Sequence, residues 1–258
     1  MSPEIVLLLL CVVAFVAGFT DAVVGGGGLL QLPAMFIAYS GWLPVNVIAT
    51  NRFSSACGTL MAAVQYLRKV EVNRKVVLVT AVAAMLAALL GAQIMKHTSP
   101  ETFKPVILIV LIVVAIYTYS KKDFGLANTA KVVKAGVGIP VLIGLIIGFY
   151  NGFIGPGTGS FLIFALIGFM HYDFLKASAS AKIINFATDF STLVYFACSG
   201  DIHYKIAIPM AVFNIAGGYV GSHLAMLRGS TFVRRFFIAI VCVVIVRFAY
   251  DVFLSVTN

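Results

Sequence analysis

Charged residues are scarce in this sequence. Only 10% of its 258 residues are Asp, Glu, Lys or Arg, whereas 61% are hydrophobic and the mean hydropathy is +1.05. A soluble domain carries roughly 25% charged residues, so this chain has too few to cover a water-facing surface. Lipid must therefore be its solvent. We predict an all-α polytopic membrane protein, with a single transmembrane domain over residues 1–258.

Motifs for catalysis and for metal binding are also lacking. The cysteines and histidines follow no metal-ligand or redox spacing, and no glycine cluster is followed by the Lys-Ser/Thr of a nucleotide-binding loop. No His-Glu-x-x-His motif or nucleophile–base pair is visible. We expect neither an enzyme nor a resident metal or cofactor. The basic residues stand in short loops between apolar runs, which indicates membrane topology and not nucleic-acid binding.

Ten apolar segments divide the chain, and two of them are too short to cross about 30 Å of hydrocarbon at 1.5 Å per residue. Each of these two short segments follows a glycine cluster. The first segment has no basic residue before it and is long enough to span, so we expect a retained helix and not a signal peptide. The segments lie near 4–24, 28–39, 45–67, 74–96, 103–120, 132–154, 158–170, 175–198, 204–226 and 232–254.

The two halves of the chain match each other at an offset of about 130 residues. The matching positions include Gly18 with Gly148, Asp21 with Asn151, Arg52 with Lys182, and Gly91 with Gly221. We predict repeat 1 over residues 1–124 and repeat 2 over residues 131–258, each with five segments. Because five is an odd number, the second repeat is inverted. Inverted repeats with glycine-broken short helices are a recurrent plan of transporters.

The charges of the loops predict the orientation in the membrane. If the segments alternate sides, the whole net charge of +9 falls on one set of loops, and the other set together with the termini is neutral. Loops rich in Lys and Arg stay in the cytoplasm. We therefore predict a multi-pass protein of a bacterial inner (plasma) membrane, with both termini outside. The loops on the charged side are those near 67–75, 121–134 and 227–235, which are basic, and 171–176, in which Asp173 and Lys176 cancel.

Three stretches resemble the sulfite exporter TauE/SafE family. They are GFTDAVVGGGGLLQLP at 18–33, its echo GFYNGFIGPGTG at 148–159, and ATNR at 49–52. The resemblance covers essentially the whole chain. It implies transport of sulfur-containing anions such as sulfite or sulfonates. Because this family also includes proposed importers, the resemblance does not imply a direction of transport. The two halves depart from symmetry at Arg52, answered by Lys182, and at Asp21, answered by Asn151.

The glycine clusters are the first candidate site. Glycine lets backbone approach a ligand closely, and a helix that starts there presents free N–H groups and a positive dipole end to an anion. Neutral hydrogen-bonding side chains flank both breaks. The alternative is that the glycines serve only close helix packing. The candidate substrate-binding residues here are Gly25, Gly26, Gly27, Gly28, Gln31, Asn51, Gly155, Gly157, Thr158, Gly159 and Ser160.

Intramembrane charges form the second candidate site. Arg52 and Lys182 each lie about 10 Å deep in equivalent helices, and a charge at that depth is a functional candidate by default. Three roles are open for both: they bind the anion, they form structural ion pairs (Lys182 with Asp189 or Asp21, and Arg52 with Asp21), or they extend their charged ends to the membrane interface. The two carboxylates Asp21 and Asp189 are also candidates for proton coupling. The polar stripe on the same helix faces adds Ser55, Thr59 and Asn185.

These observations predict a secondary transporter of small sulfur-containing anions, which works by alternating access between two inverted halves. An anion channel and a transporter of another small organic anion, such as a carboxylate, remain the alternatives. The expected partners are the anionic substrate and membrane lipid, with no nucleic acid, and a homo-oligomer stays open. The sequence identifies neither the anion nor a coupling ion.

Overall fold

The computed structural model describes residues 2–95 and 136–257, with side chains up to residue 239, and in these ranges the secondary structure is helical with no strand. The predicted all-α class is confirmed. The described helices are α1 (Pro3–Val24), α2 (Gly28–Ala38), α3 (Pro44–Lys69), α4 (Arg74–Met95), α5 (Gly138–Phe153), α6 (Thr158–Met170), α7 (Phe174–Cys198) and α8 (Tyr204–Thr257).

The predicted segments correspond closely to these helices. The short segments 28–39 and 158–170 are the short helices α2 and α6, which follow the glycine breaks. The last two segments form the one long helix α8, which is interrupted by a non-helical Gly229 (φ 68°, ψ −169°). The predicted segment 103–120 lies outside the described residues.

Local sequence sets where these helices start and stop. α3 begins with Pro44 in its first turn, where the missing proline N–H costs nothing. α1 ends at Gly25, whose left-handed conformation (φ 78°) lets its N–H bond the Asp21 carbonyl. The N-cap of α7 is Asp173, whose side chain accepts the Lys176 N–H at 2.9 Å.

Length and apolar composition agree with a membrane protein. Three described stretches are long and apolar enough to span: α1, α4 and the Tyr204–Ala239 part of α8. α3 and α7 have 26 and 25 residues, but their polar stripes lower their hydropathy. Large apolar side chains are exposed on the outer surface, including Leu8, Leu78, Leu142 and Val212. Lipid is the solvent that can cover such a surface.

Helices of the two halves pack against each other. α1 packs mainly on α8 and α5 packs mainly on α4, with glycines at both contacts. Gly18 lies against the Asn214 carbonyl and Gly148 lies against the Ala84 carbonyl, so these contacts repeat with the offset of the sequence matches. That one half is inverted relative to the other remains a prediction.

Loops that were predicted to share a side of the membrane contact each other. On one side the Trp42 and His203 rings stack with centroids 3.9 Å apart, and Asn46 donates to the Asp201 carbonyl at 3.1 Å. On the other, the Ser230 hydroxyl donates to the Asp173 carboxylate at 2.9 Å. These contacts agree with the predicted alternation of the segments, and they leave open which side is the cytoplasm.

Candidate functional site

The two glycine breaks touch each other at the centre of the bundle. The backbone of Gly25 lies so close to that of Gly159 that a side chain on either residue would overlap the other. Hydroxyl groups of repeat 2 also close the end of α1. Ser160 donates to the Val24 carbonyl at 2.8 Å, and Ser178 donates to the Val23 carbonyl at 3.2 Å. The glycines therefore serve the close approach of two broken helices.

A cavity of about 40 Å³ lies beside this contact. A water molecule needs about 10–15 Å³ on the same measure, so the cavity has room for a few waters or a small anion. α2 begins at Gly28 and α6 begins at Thr158, and both residues lie in its wall. The cavity is lined by Asp21, Gly25, Gly28, Leu32, Ile48, Asn51, Arg52, Ser55, Thr59, Asn151, Ile154, Gly155, Pro156, Gly157, Thr158, Gly159, Asn185 and Asp189.

Arg52 forms one of two charge clusters at the cavity. Its Nη1 donates to the Asp189 carboxylate at 3.1 Å and to the Asn151 side-chain oxygen, and its Nη2 donates to the Asn151 carbonyl at 2.8 Å. Asn151 in turn donates to Asp189 at 3.2 Å and to Thr188. Asn185 donates to the second oxygen of Asp189 at 3.4 Å. The carboxylate is therefore bonded to one cation and two amides.

Lys182 forms the second charge cluster. Its Nζ donates to the Asp21 carboxylate at 2.8 Å, and the Thr59 hydroxyl donates to the same oxygen at 3.0 Å. The Lys182 side chain is fully buried, whereas 15% of the Asp21 side chain is exposed. Asp21 therefore stands between Lys182 and the cavity.

The two clusters are built from equivalent positions. Arg52 answers Lys182, Asn151 answers Asp21, and Asp189 answers Thr59. In each cluster the cation belongs to one half, and its hydrogen-bond acceptors belong to the other. Each half also supplies one carboxylate, but the two carboxylates lie on helices that are not equivalent in the repeat, Asp21 on α1 and Asp189 on α7. The ion pairs therefore join the halves to each other.

Comparison with known proteins decides the family. The model of the sulfite exporter TauE/SafE family matches residues 10–248. The chain belongs to the sulfite exporter TauE/SafE family.

Relatives with curated names cover the TauE/SafE chain almost completely. A probable membrane transporter protein of Sinorhizobium sp., ORF9, is 32% identical over 95% of this chain and 93% of its own. A probable membrane transporter protein of Haemophilus influenzae is 28% identical over 96% of both chains. The probable membrane transporter protein YfcA of Escherichia coli K12 is 27% identical over 97% of this chain and 92% of its own. No solved structure matches.

Most of the predicted site residues of this TauE/SafE protein line the cavity, and five do not. Gln31 accepts a hydrogen bond from Asn214 at 2.7 Å, Gly27 packs against the Ala17 carbonyl, and the Ser160 hydroxyl is held by Val24. Gly26 and Lys182 are likewise absent from the cavity wall. Whether any of the predicted residues contacts substrate remains a prediction.

The ion pairs differ in part from the predicted ones. Lys182 pairs with Asp21, which was one of its two predicted partners. Arg52 pairs with Asp189, and the predicted pairing of Arg52 with Asp21 is wrong. The reason is geometric, because the Asp21 carboxylate is already bonded to Lys182 and Thr59. Arg52 and Lys182 therefore occupy equivalent sequence positions but have different surroundings.

Sequence reasoning did not place several cavity residues in the TauE/SafE site. Asn151 is the most important, because it bonds both members of the Arg52–Asp189 pair. Its match to Asp21 at the repeat offset was the available signal. Leu32, Ile48, Ile154 and Pro156 line the apolar part of the wall and carry no chemical signal of their own.

In the cavity wall, Asn51 is a candidate residue with capacity left for a ligand. The residue is 8% exposed and lies in the cavity wall, and its buried Oδ1 has no hydrogen-bond partner among the described residues. A buried polar atom without a partner is costly unless water or a ligand satisfies it. Among the described residues no group of three or more His, Cys, Asp or Glu side chains is placed to hold a metal ion. The arrangement suits hydrogen bonding to a small polar ligand.

Proposed function

We propose that this protein is a secondary transporter that carries a small sulfur-containing anion, such as sulfite or a sulfonate, across the inner membrane of a bacterial cell by alternating access. Membership of the TauE/SafE family and the apolar helices support a membrane transporter. The family description also favours sulfite or a chemically similar anion. The direction of transport stays open.

The observation that carries this proposal is the cavity beside the contact of the two glycine breaks, with Arg52 in its wall. Among the described residues, Arg52 is the only cationic side chain that lines it. A guanidinium binds two oxygens of an oxyanion side by side, which fits a sulfite or sulfonate group. The first turns of α2 and α6 add neutral backbone donors. Asn51 adds another donor, because rotation of its amide presents the NH₂ group to the cavity.

The ion pairs support a movement of one half against the other. An anion that binds Arg52 competes with Asp189, and Arg52 and Asp189 belong to different halves. Binding therefore weakens one of the two charge contacts that join the halves. Such a differential contact is what a ligand needs in order to shift a conformational equilibrium.

Counterflow in proteoliposomes tests the proposal. Vesicles loaded with unlabelled sulfite or a sulfonate are mixed with a trace of the labelled anion, and uptake is followed for wild type, Arg52→Gln and Arg68→Gln. Arg68 is the matched control, since it lies on the same helix but is exposed. We expect Arg52→Gln to lower uptake about 100-fold, equivalent to about 3 kcal/mol of charge-assisted hydrogen bonding. Arg68→Gln retains the wild-type rate.

Other outcomes point to other functions. Equal loss in both arginine variants, or none in either, contradicts the proposed site. Uptake that internal anion does not stimulate indicates an anion channel, because only a carrier returns faster when loaded. If a short carboxylate competes better than every sulfur anion, the substrate class is wrong and the site stands.

A further inference from the structure

The cavity wall carries a cation and a carboxylate that are each other's partner. Arg52 and Asp189 both line the cavity, and their side chains are only 6% and 7% exposed. A buried charge is very unfavourable when its partner is removed. If an anion takes the Arg52 guanidinium from Asp189 and the carboxylate stays ionised, the buried carboxylate loses its partner at a large cost in free energy.

We propose that Asp189 takes up a proton when the anion binds Arg52, so that one proton crosses the membrane with each monovalent anion. This inference rests on the proposed transport function and adds the coupling ion. Asp189 and the anion alternate as the partner of Arg52. With the anion on Arg52, Asp189 is a neutral acid, and with the cavity empty, Asp189 is ionised and paired.

The charge balance of the cycle is simple. The empty site holds Arg52 and Asp189, with no net charge. The loaded site holds Arg52, the anion and the protonated Asp189, again with no net charge. The proton comes from water on the side where the anion enters, and it returns to water on the other side when Asp189 recovers Arg52. No oxidant or reductant takes part.

Among the described residues, Arg52 is the one cation paired with Asp189, so an anion that takes Arg52 removes the main stabilisation of the ionised form. The ionisable side chains that act on it are Arg52 on α3, Asp21 on α1, and Lys182 on its own helix. α5 contributes only the neutral Asn151, and α4 meets this part of α7 through the Met85 carbonyl, which accepts from Ser191. Asn151 and Asn185 still donate to Asp189 when the guanidinium is engaged elsewhere.

Asp21 does not share this role. Its cation, Lys182, is fully buried and is not part of the cavity wall, so an anion in the cavity cannot replace Asp21 as the partner of Lys182. Thr59 also donates to the same Asp21 oxygen. The Lys182–Asp21 pair therefore stays formed while the other pair opens. The sequence made the two carboxylates equal candidates, and the geometry separates them.

The experiment uses the full-length protein in proteoliposomes, with labelled methanesulfonate as the probe. This anion stays monovalent across the working pH range, so any pH dependence belongs to the protein. Uptake is driven either by a pH gradient, acid outside, or by an inside-positive potential set with potassium and valinomycin. For wild type we expect about tenfold accumulation per pH unit and no response to potential, because the loaded cycle carries no net charge.

Asp189→Asn removes the proton carrier and keeps a hydrogen-bonding side chain. We expect exchange at equal pH to persist, the response to the pH gradient to vanish, and uptake to follow the potential, with about tenfold accumulation for each 60 mV. Asp189→Glu keeps the pH response. Glu71→Gln, which removes a carboxylate at an exposed position, is the matched control and behaves like wild type.

The outcomes separate the two proposals. Wild-type exchange that follows the potential and ignores the pH gradient overturns proton coupling and leaves the transporter intact. Coupling that survives in Asp189→Asn assigns the proton to another group and overturns the role of Asp189. Absence of wild-type exchange at equal pH contradicts the transport function itself. The wild-type response to the pH gradient tests proton coupling by itself. The proposal can therefore be overturned even if the Asp189→Asn protein does not fold.

Discussion

Asn151 stands where the equivalent position of repeat 1 has Asp21. The carboxylate of repeat 2 is instead Asp189 on α7, at the position equivalent to Thr59. Arg52 consequently meets its carboxylate in the cavity wall, and Lys182 meets its carboxylate behind the wall. The differences Asp21/Asn151 and Thr59/Asp189 between equivalent positions thus go with one cation at the cavity and one in the interior.

The Lys182–Asp21 pair leads to a stability prediction. Asp21→Asn or Lys182→Met alone leaves a buried charge without its partner, and we expect each to lower the free energy of unfolding by about 3–5 kcal/mol. The double variant removes both charges and recovers most of that loss. Thermal unfolding in detergent measures all three, and Lys69→Met at an exposed site is the control. Additive losses in the double variant contradict a direct pair.

At the scale of the elements, close contacts between helices determine the packing. α5 lies so close to α4 that Gly148 touches the Ala84 backbone, whereas Gly168 in α6 has open space where a side chain would stand. Both glycines lie inside helices. The first serves packing, and the second has no packing role in the described structure.

The same substitution therefore has opposite effects at the two positions. Gly148→Ala overpacks the α4–α5 contact, and we expect it to lower stability by about 1–3 kcal/mol. Gly168→Ala removes backbone freedom from the unfolded chain and is neutral or gains up to about 0.5–1 kcal/mol. Melting temperatures in detergent give the comparison. If both variants change the melting temperature by a similar amount in the same direction, packing at Gly148 does not determine the effect of the substitution.

The elements were predictable from the sequence because their signals are local. Apolar run length and the glycine clusters place α2 and α6, and helical spacing places Arg52 and Thr59 on one face. The partner of each charge was not predictable. A shift of one helical turn, about 5.4 Å, brings a different side chain opposite Arg52, and the register between two helices depends on packing across the whole bundle.

The whole molecule has two ends, one on each side of the membrane. The contacts between loops show which loops share an end, but they do not show which end faces the cytoplasm. Loop charge predicts that the side of the basic loops, which includes Lys69, faces the cytoplasm and that Ser199 lies on the opposite side. Both residues are exposed in the structure. They can therefore report the orientation.

Cysteine labelling checks this orientation. In a background with all four native cysteines replaced, we expect Ser199→Cys to react with a membrane-impermeant maleimide in spheroplasts. We expect Lys69→Cys to react only after permeabilisation, because its loop is predicted to face the cytoplasm. The reversed pattern means that the membrane orientation is opposite to the one predicted from charge. Equal labelling of both before permeabilisation contradicts the alternation of the segments.

The pairing of charges between the halves also bears on synthesis of the chain. Arg52 precedes its partner Asp189 by 137 residues, so at about 5–20 residues per second the ribosome adds the partner roughly 7–30 s later. Asp21 waits longer still, since Lys182 follows it by 161 residues. During this interval repeat 1 is in the translocon or the bilayer with its charges uncompensated by repeat 2. A nascent chain that stops before Lys182 therefore leaves Asp21 and Arg52 without the partners that they have in the folded protein.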